Sequence, residues 1–156
     1  LTTEMGYDRV IDYKNDNVDA ALDDAFPEGI DLYFDNVGGS LLDNVLGRLR
    51  RRARVAICGS ISEYLVDSKD QHRFVNLQNL GRQDAKMEGF FVFDYEEVYP
   101  DCIETLADWV RAGALNPVED ISEGIETMPQ ALADLYLGNN VGVRMVKVGE
   151  PAMPLP

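Results

Sequence analysis

Ile30-Asp-Leu-Tyr-Phe-Asp-Asn-Val-Gly-Gly39 is the stretch that decides the fold. Leu32 and Phe34 alternate with Tyr33 and Asp35, the period-two pattern of a strand with two distinct faces. The run stops at paired glycines, and Leu41, Leu42, Val45, Leu46 and Leu49 follow at helical spacing. Glycine at the stop permits a sharp turn or close approach of another group. Open α/β sheets bind their ligands at such strand ends, and Asp35 and Asn36 would stand at that edge. Taken alone, the pattern fits a plain strand-to-helix turn equally well.

Upstream, Val10–Tyr13 is predicted as a short strand, Lys14–Asn17 as a polar turn and Val18–Phe26 as a helix stopped by Pro27-Glu28-Gly29. Leu1–Val10 reads as a helix end running into that strand, with Gly6 as its stop. Downstream, Arg48, Arg50, Arg51, Arg52 and Arg54 are expected at the helix C-terminus, where cations complement the dipole. That is the wrong end of a helix for anion capture by backbone N–H groups. Arg54–Ile57 is the next strand and enters Cys58-Gly-Ser-Ile-Ser-Glu-Tyr64. Strand, helix, strand, helix, strand implies a parallel sheet with right-handed crossovers.

Leu65–Arg73 reads as an exposed loop, and Phe74–Gly81 as a short helix or extended cover. Lys86–Phe93 contains an aromatic-rich strand, Gly89–Phe93. Glu96–Ala112 is predicted helical, with Pro100 in its first turns and Gly113 at its end. Cys102, Ile103, Leu106, Trp109 and Val110 form its expected buried stripe. Val118–Ile121 is a strand candidate, and Thr127-Met-Pro-Gln130 fits a capping box opening a helix that runs to Leu137 and stops at Gly138. Val141–Val148 is a final strand before the tail Pro151–Pro156, expected to be disordered.

The 156 residues suffice for a real hydrophobic core, and 46% hydrophobic with 27% charged residues is ordinary globular composition. A formal charge of −14 argues against a general nucleic-acid binder but leaves room for a locally positive pocket that takes a small anion. No apolar run approaches the roughly 18 residues of a membrane span. Two cysteines, Cys58 and Cys102, make neither a disulfide framework nor a zinc pattern, and a reduced, cytoplasmic setting is expected. His72 is the only histidine, so the chain offers no His-rich metal site. The first residue is Leu1, and the pattern around it is that of a chain entered in mid-domain.

Several stretches together resemble one family. Tyr33-Phe-Asp-Asn-Val-Gly-Gly39, Cys58-Gly-Ser-Ile-Ser-Glu-Tyr64, Met87-Glu-Gly-Phe90 and Asn139-Asn-Val-Gly142 are similar, in order, to the zinc-independent medium-chain dehydrogenases/reductases. The nearest group is that of the prostaglandin, curcumin and alkenal double-bond reductases. Ile11-Asp-Tyr-Lys14 and Glu119-Asp-Ile-Ser-Glu-Gly124 extend the likeness to nearly the whole chain up to Gly149.

The resemblance implies an α/β fold: a partial Rossmann-type parallel sheet with crossover helices, plus a C-terminal strand-helix-strand that returns to the catalytic domain. Residues 1–113 would be the C-terminal part of the NADP-binding domain, 114–149 the C-terminal part of the catalytic domain and 150–156 a tail. The family's glycine-rich phosphate loop has no counterpart in this chain, so the isolated 156-residue fragment is expected to be inactive.

The implied reaction is NADPH-dependent reduction of the C=C bond of an α,β-unsaturated ketone or aldehyde, with hydride delivered to the β-carbon and a proton to the α-carbon. Carried over residue by residue, Tyr13 matches the 2′-phosphate end of the cofactor, and Asn36 the contact at the strand edge. Cys58, Gly59, Ser60, Ile61, Ser62 and Tyr64 match the loop beside the nicotinamide half. Tyr64 is the candidate catalytic residue, a hydrogen-bonding partner of the ribose or of the substrate enolate. Phe90, Phe91 and Val92 match the nicotinamide-pocket segment, and Asn140 an asparagine that reaches back to the cofactor. No metal is implied. Family members are often homodimers, with Phe90–Phe93 near an interface strand. The partners expected are thus a small enone or enal and a second copy, with no nucleic acid or membrane. The rival readings are a non-enzymatic α/β association module and a quinone or alcohol reductase of the same superfamily.

Overall fold

A computed structural model describes residues 5–150. The expectations that fall on residues 1–4 and on the tail 151–156 lie outside the described residues. The chain divides into two compact units, Leu1–Glu96 and Glu97–Pro156.

The first unit is a three-stranded parallel sheet with helical crossovers. Helix α1 (Val18–Ala25) starts at Asn17, whose side chain accepts the Ala20 N–H. Strand β1 (Ile30–Asp35), helix α2 (Gly39–Leu46) and strand β2 (Leu49–Ile57) follow, then the single helical turn α3 (Asn79–Arg82) and strand β3 (Lys86–Gly89). The strand order is β1-β2-β3, parallel throughout, so every link must cross over one face. Leu22 of α1 and Leu42, Val45 and Leu46 of α2 pack on Ile30, Leu49, Ala53 and Val55 of the strands. Leu46 is fully buried, which contributes on the order of 2 kcal/mol. The other face of β1 is open, with Leu32 72% and Phe34 55% exposed.

Three predicted features of this unit differ. Residues 10–13 form no strand. Asp12 instead organises a turn, its side chain accepting from the Lys14 N–H and the Asn15 amide, and its carbonyl from the Asn15 and Asp16 N–H groups. Aspartate's local bonding outcompetes a ladder there. Helix α2 ends at Leu46, so Arg50, Arg51, Arg52 and Arg54 lie along β2 rather than at a helix C-terminus. Ile30 pairs with Leu49 but Leu32 with Arg54, which places a bulge at residues 50–53. Arg52 adopts φ 65° at this kink, and its N–H is held by the Gln83 carbonyl at 2.7 Å. Finally, β3 stops at Gly89, so the aromatic run Phe90–Phe93 lies beyond the strand and enters a 3-10 segment, Val92–Val98.

In the second unit, helix α4 (Tyr99–Arg111) has Pro100 in its first turn. Its apolar stripe is exposed, not buried as the spacing predicts, and Trp109 is 52% exposed. A helical period marks an apolar face but not what covers it. Strands β4 (Glu119–Glu123) and β5 (Val143–Lys147) pair in parallel, joined by helix α5 (Met128–Leu137), which ends at Gly138 in left-handed backbone. The predicted capping box is absent. Thr127 is already in helical backbone after the 3-10 turn Ile125–Thr127, and its hydroxyl donates to the Gly124 carbonyl at 2.8 Å. Gln130 reaches forward to Asp134. Among the described residues no helix is long and apolar enough to cross a membrane.

Candidate functional site

The carboxyl ends of β1 and β2 lie side by side, with Asp35 paired to Ile57. The chain leaving β2 folds back over the turn leaving β1. Cys58 and Gly59 donate their N–H groups to the Asp35 carbonyl at 2.8 and 3.1 Å. Ile61 donates to the Asn36 carbonyl and Ser62 to the Val37 carbonyl, both at 3.1 Å. The Ser62 hydroxyl donates to the same Val37 carbonyl at 2.6 Å. The two segments are thus stitched residue by residue.

Such closeness explains the glycines. Gly38 has φ 71° and ψ −154°, and a Cβ there would lie 2.8 Å from the Ser60 Cβ. At Gly39, with φ 57°, a Cβ would lie 2.7 Å from Glu63 Oε1. The glycine pair read as a permissive turn is a close-approach surface for the following loop.

Asp35 is fully buried. Its Oδ1 accepts the Tyr33 hydroxyl at 3.0 Å and the Val37 N–H at 3.0 Å, and both carboxylate oxygens accept from the Gly38 N–H. Burial, with the neighbouring Asp35 charge, pushes the Tyr33 phenol well above its ordinary value, so it stays a neutral donor. The N-cap of α2 is Gly38, which has no side chain, and the Asp35 carboxylate takes the Val37 and Gly38 N–H groups just ahead of the helix. A negative group there complements the helix dipole. Its charge beside the helix start also disfavours an anion there.

Around this frame, Asn36 is exposed at the strand tip. Tyr64, 59% exposed, turns its hydroxyl back to accept the Ser60 N–H at 3.2 Å. Between them lies Gly59, where a Cβ would stand 2.9 Å from Tyr64 Oη and 3.7 Å from Asn36 Oδ1. Because Tyr64 accepts from Ser60, its own O–H is left to donate elsewhere. Asn36 and the loop residues Cys58, Gly59, Ser60, Ile61, Ser62 and Tyr64, two separate stretches in the sequence, therefore form one cluster. Phe90 is close to the same sheet edge: its N–H bonds the Ile57 carbonyl at 3.3 Å, and its ring lies 5.9 Å from that of Phe34. Phe91 and Val92 continue from it, exposed.

Tyr13 sits exposed in the Asp12 turn of the same unit. Asn140 belongs to the second unit, where its amide donates to the Gly142 carbonyl at 2.8 Å. Among the described residues no group of three or more His, Cys, Asp or Glu side chains could hold a metal ion.

The sequence reading placed Asp35 at the strand edge without its buried role, and it missed Asp43. Asp35 offered a signal, an acid three residues ahead of the glycine that caps α2. Asp43 offered none. It is 3% exposed on α2 and takes the His72 ring and the Val75 and Asn76 N–H groups, residues 29 to 33 positions away.

A family model described as zinc-binding dehydrogenase matches residues 5–143. The chain belongs to this family, within the medium-chain dehydrogenases/reductases. Members similar to it include (+)-pulegone reductase of Mentha piperita, 42% identical over 149 residues, covering 95% of this chain and 43% of the relative. The NADP(+)-dependent 2-alkenal reductase of Nicotiana tabacum is 40% identical over 149 residues, covering 95% of this chain and 43% of that protein. The structure of CurA from Vibrio vulnificus in complex with NADPH superposes with a TM-score of 0.84 at 30% identity, over 96% of this chain and 46% of CurA. The likeness to CurA carries the Rossmann-type α/β fold, and the chain spans less than half the length of these family members.

Proposed function

We propose that the protein containing this chain is an NADPH-dependent oxidoreductase that reduces the C=C bond of α,β-unsaturated ketones or aldehydes. The observation that carries the reading is the convergence of the exposed Asn36 amide and the Tyr64 hydroxyl on either side of Gly59, at the carboxyl end of a parallel sheet. The names of the relatives support the same chemistry.

The residues present fit a nicotinamide-ribose half better than a pyrophosphate. Asn36 and Tyr64 offer neutral hydrogen-bonding groups, and the Asp35 carboxylate disfavours an anion at the start of α2. NADPH, when bound, supplies the hydride for the β-carbon of the enone. Tyr64 donates its free O–H to the ribose or to the substrate oxygen that gathers negative charge. Asn36 orients the cofactor at the strand edge, and Cys58–Ser62 lie along it. Phe90, Phe91 and Val92 supply apolar wall, Tyr13 serves the 2′-phosphate end, and Asn140 is a further cofactor contact.

In this reading 1–113 completes a nucleotide-binding domain and 114–149 a catalytic domain, the whole acting as a cytoplasmic homodimer. Cys58 and Cys102, both unpaired and exposed, accord with a reducing compartment. The test is absorbance at 340 nm on mixing the complete protein with NADPH and an enone, a quinone or an alcohol with NADP. Turnover with enones, and none for the 156-residue chain alone, is expected. Turnover confined to quinones or alcohols would refute the substrate class.

A further inference from the structure

We infer that Asp35 is the positioning residue of the proposed cofactor site: its buried carboxylate sets the turn that presents Asn36, and its main-chain carbonyl anchors the loop that presents Tyr64. This deepens the function proposed above and rests on it.

Asp35 works through two sets of bonds. Its side chain fixes the turn, because the Val37 and Gly38 N–H groups both point into the carboxylate at 3.0–3.1 Å. Asn36 is the residue between the carboxylate and those two donors, so its backbone direction is determined by them. Its main chain fixes the loop, because the Asp35 carbonyl takes the Cys58 and Gly59 N–H groups. Those are the first residues of the segment that carries Ser60, on whose N–H the Tyr64 hydroxyl rests. Tyr33 completes the arrangement from below, giving the carboxylate a third donor at 3.0 Å.

Asp35 has no exposed surface and does not itself touch a ligand. Its effect is to hold other groups, and held groups lower the ordering cost of binding. Asparagine in its place would keep the volume but present an NH2 group to one of the donors. The turn would then relax, and Asn36 with it. The effect should fall on cofactor binding more than on the chemical step.

The experiment is NADPH affinity of the complete protein, read by quenching of protein fluorescence, alongside KM and kcat for the enone reaction. Asp35→Asn is expected to weaken NADPH at least tenfold, with kcat at saturating NADPH within about threefold. Leu46→Ala, in the core of α2, is the stability control: it should lower Tm with NADPH affinity unchanged. If Asp35→Asn does not fold, Tyr33→Phe carries the test, with an expected loss of about threefold in affinity at near-native Tm. Unchanged NADPH affinity in the folded aspartate or tyrosine variant overturns the inference and leaves the function standing. An equal affinity loss in Leu46→Ala overturns it too, since the effect would then be one of general stability. Failure of the wild-type protein to bind NADPH overturns the function and the inference together.

Discussion

Asp43 and Asn76 bond each other twice: the Asn76 N–H donates to the Asp43 carboxylate at 2.9 Å, and the Asn76 side-chain amide donates to the Asp43 carbonyl at 3.1 Å. Two bonds donated by Asn76 across 33 positions tie the far end of the loop after β2 to the middle of α2. The near end is tied through Asp35, Asn36 and Val37. Asp43→Asn is therefore expected to destabilise the protein by about 2 kcal/mol, because it puts an NH2 group in place of one acceptor oxygen of a buried, charged carboxylate. Urea unfolding reads this directly, and a loss below about 0.5 kcal/mol would show that the loop is held elsewhere.

The same carboxylate makes a pH prediction. Burial alone would raise the Asp43 pKa, but the Asn76 N–H, His72 and the Val75 N–H outweigh it and hold the group below its ordinary 3.8. With the folded value depressed, the unfolded state binds more protons on acidification. The contribution is full above 3.8 and lost as pH falls through the folded value. The stability gap between wild type and Asp43→Asn should hold above about pH 4 and shrink as pH falls below it. A gap that stays constant over that range, measured by urea titration at each pH, contradicts the assignment.

Tyr64→Phe removes a donor from an exposed side chain whose hydroxyl accepts only the Ser60 N–H. Stability should change by less than about 1 kcal/mol. If the O–H serves the substrate oxygen, kcat falls about a hundredfold. If it serves the ribose, KM for NADPH rises instead, so steady-state kinetics separate the two roles.

Gly59→Ala places a methyl group 2.9 Å from Tyr64 Oη. Tyr64 has room to swing outward, so Tm should move by only a few degrees. Displacing the hydroxyl by about 1 Å should still cost between ten- and a hundredfold in kcat/KM. Full activity in Gly59→Ala would detach Tyr64 from the reaction.

Gly38→Ala is expected to be more severe for folding. Its backbone, at φ 71° and ψ −154°, is a region only glycine enters readily, and the added Cβ meets Ser60 at 2.8 Å. A loss of about 3 kcal/mol follows from strain and displacement together. Thermal unfolding of the variant checks it.

Where the sequence could be read, local periodicity carried the information. The alternation in Ile30–Asp35 and the heptad-like spacing through Leu46 mark β1 and α2 because each pattern is local and unambiguous. Where it misled, a second local chemistry competed. Asp12 drew its neighbours into a turn, and the arginines after Leu49 hid a strand whose polar residues point outward. The α4 stripe was legible as apolar but not as exposed, since periodicity carries no record of the covering surface. Within the site, Asn36 and Tyr64 could be named from motifs. Their convergence on Gly59 depends on a crossover between strands, which no single stretch contains. Asp43 stayed hidden for the same reason, its partners being more than 28 positions away.

The kink in β2 separates the two ends of the sheet. Pairing resets between Ile30–Leu49 and Leu32–Arg54, so the amino end of the sheet is decoupled in register from the carboxyl end. Insertions, deletions or charge changes at residues 50–52 would be absorbed where the ladder is already interrupted. The alignment of Asp35 with Ile57 would be untouched. A change at the sheet's base is thus kept, by the interrupted ladder, from shifting the register at its rim.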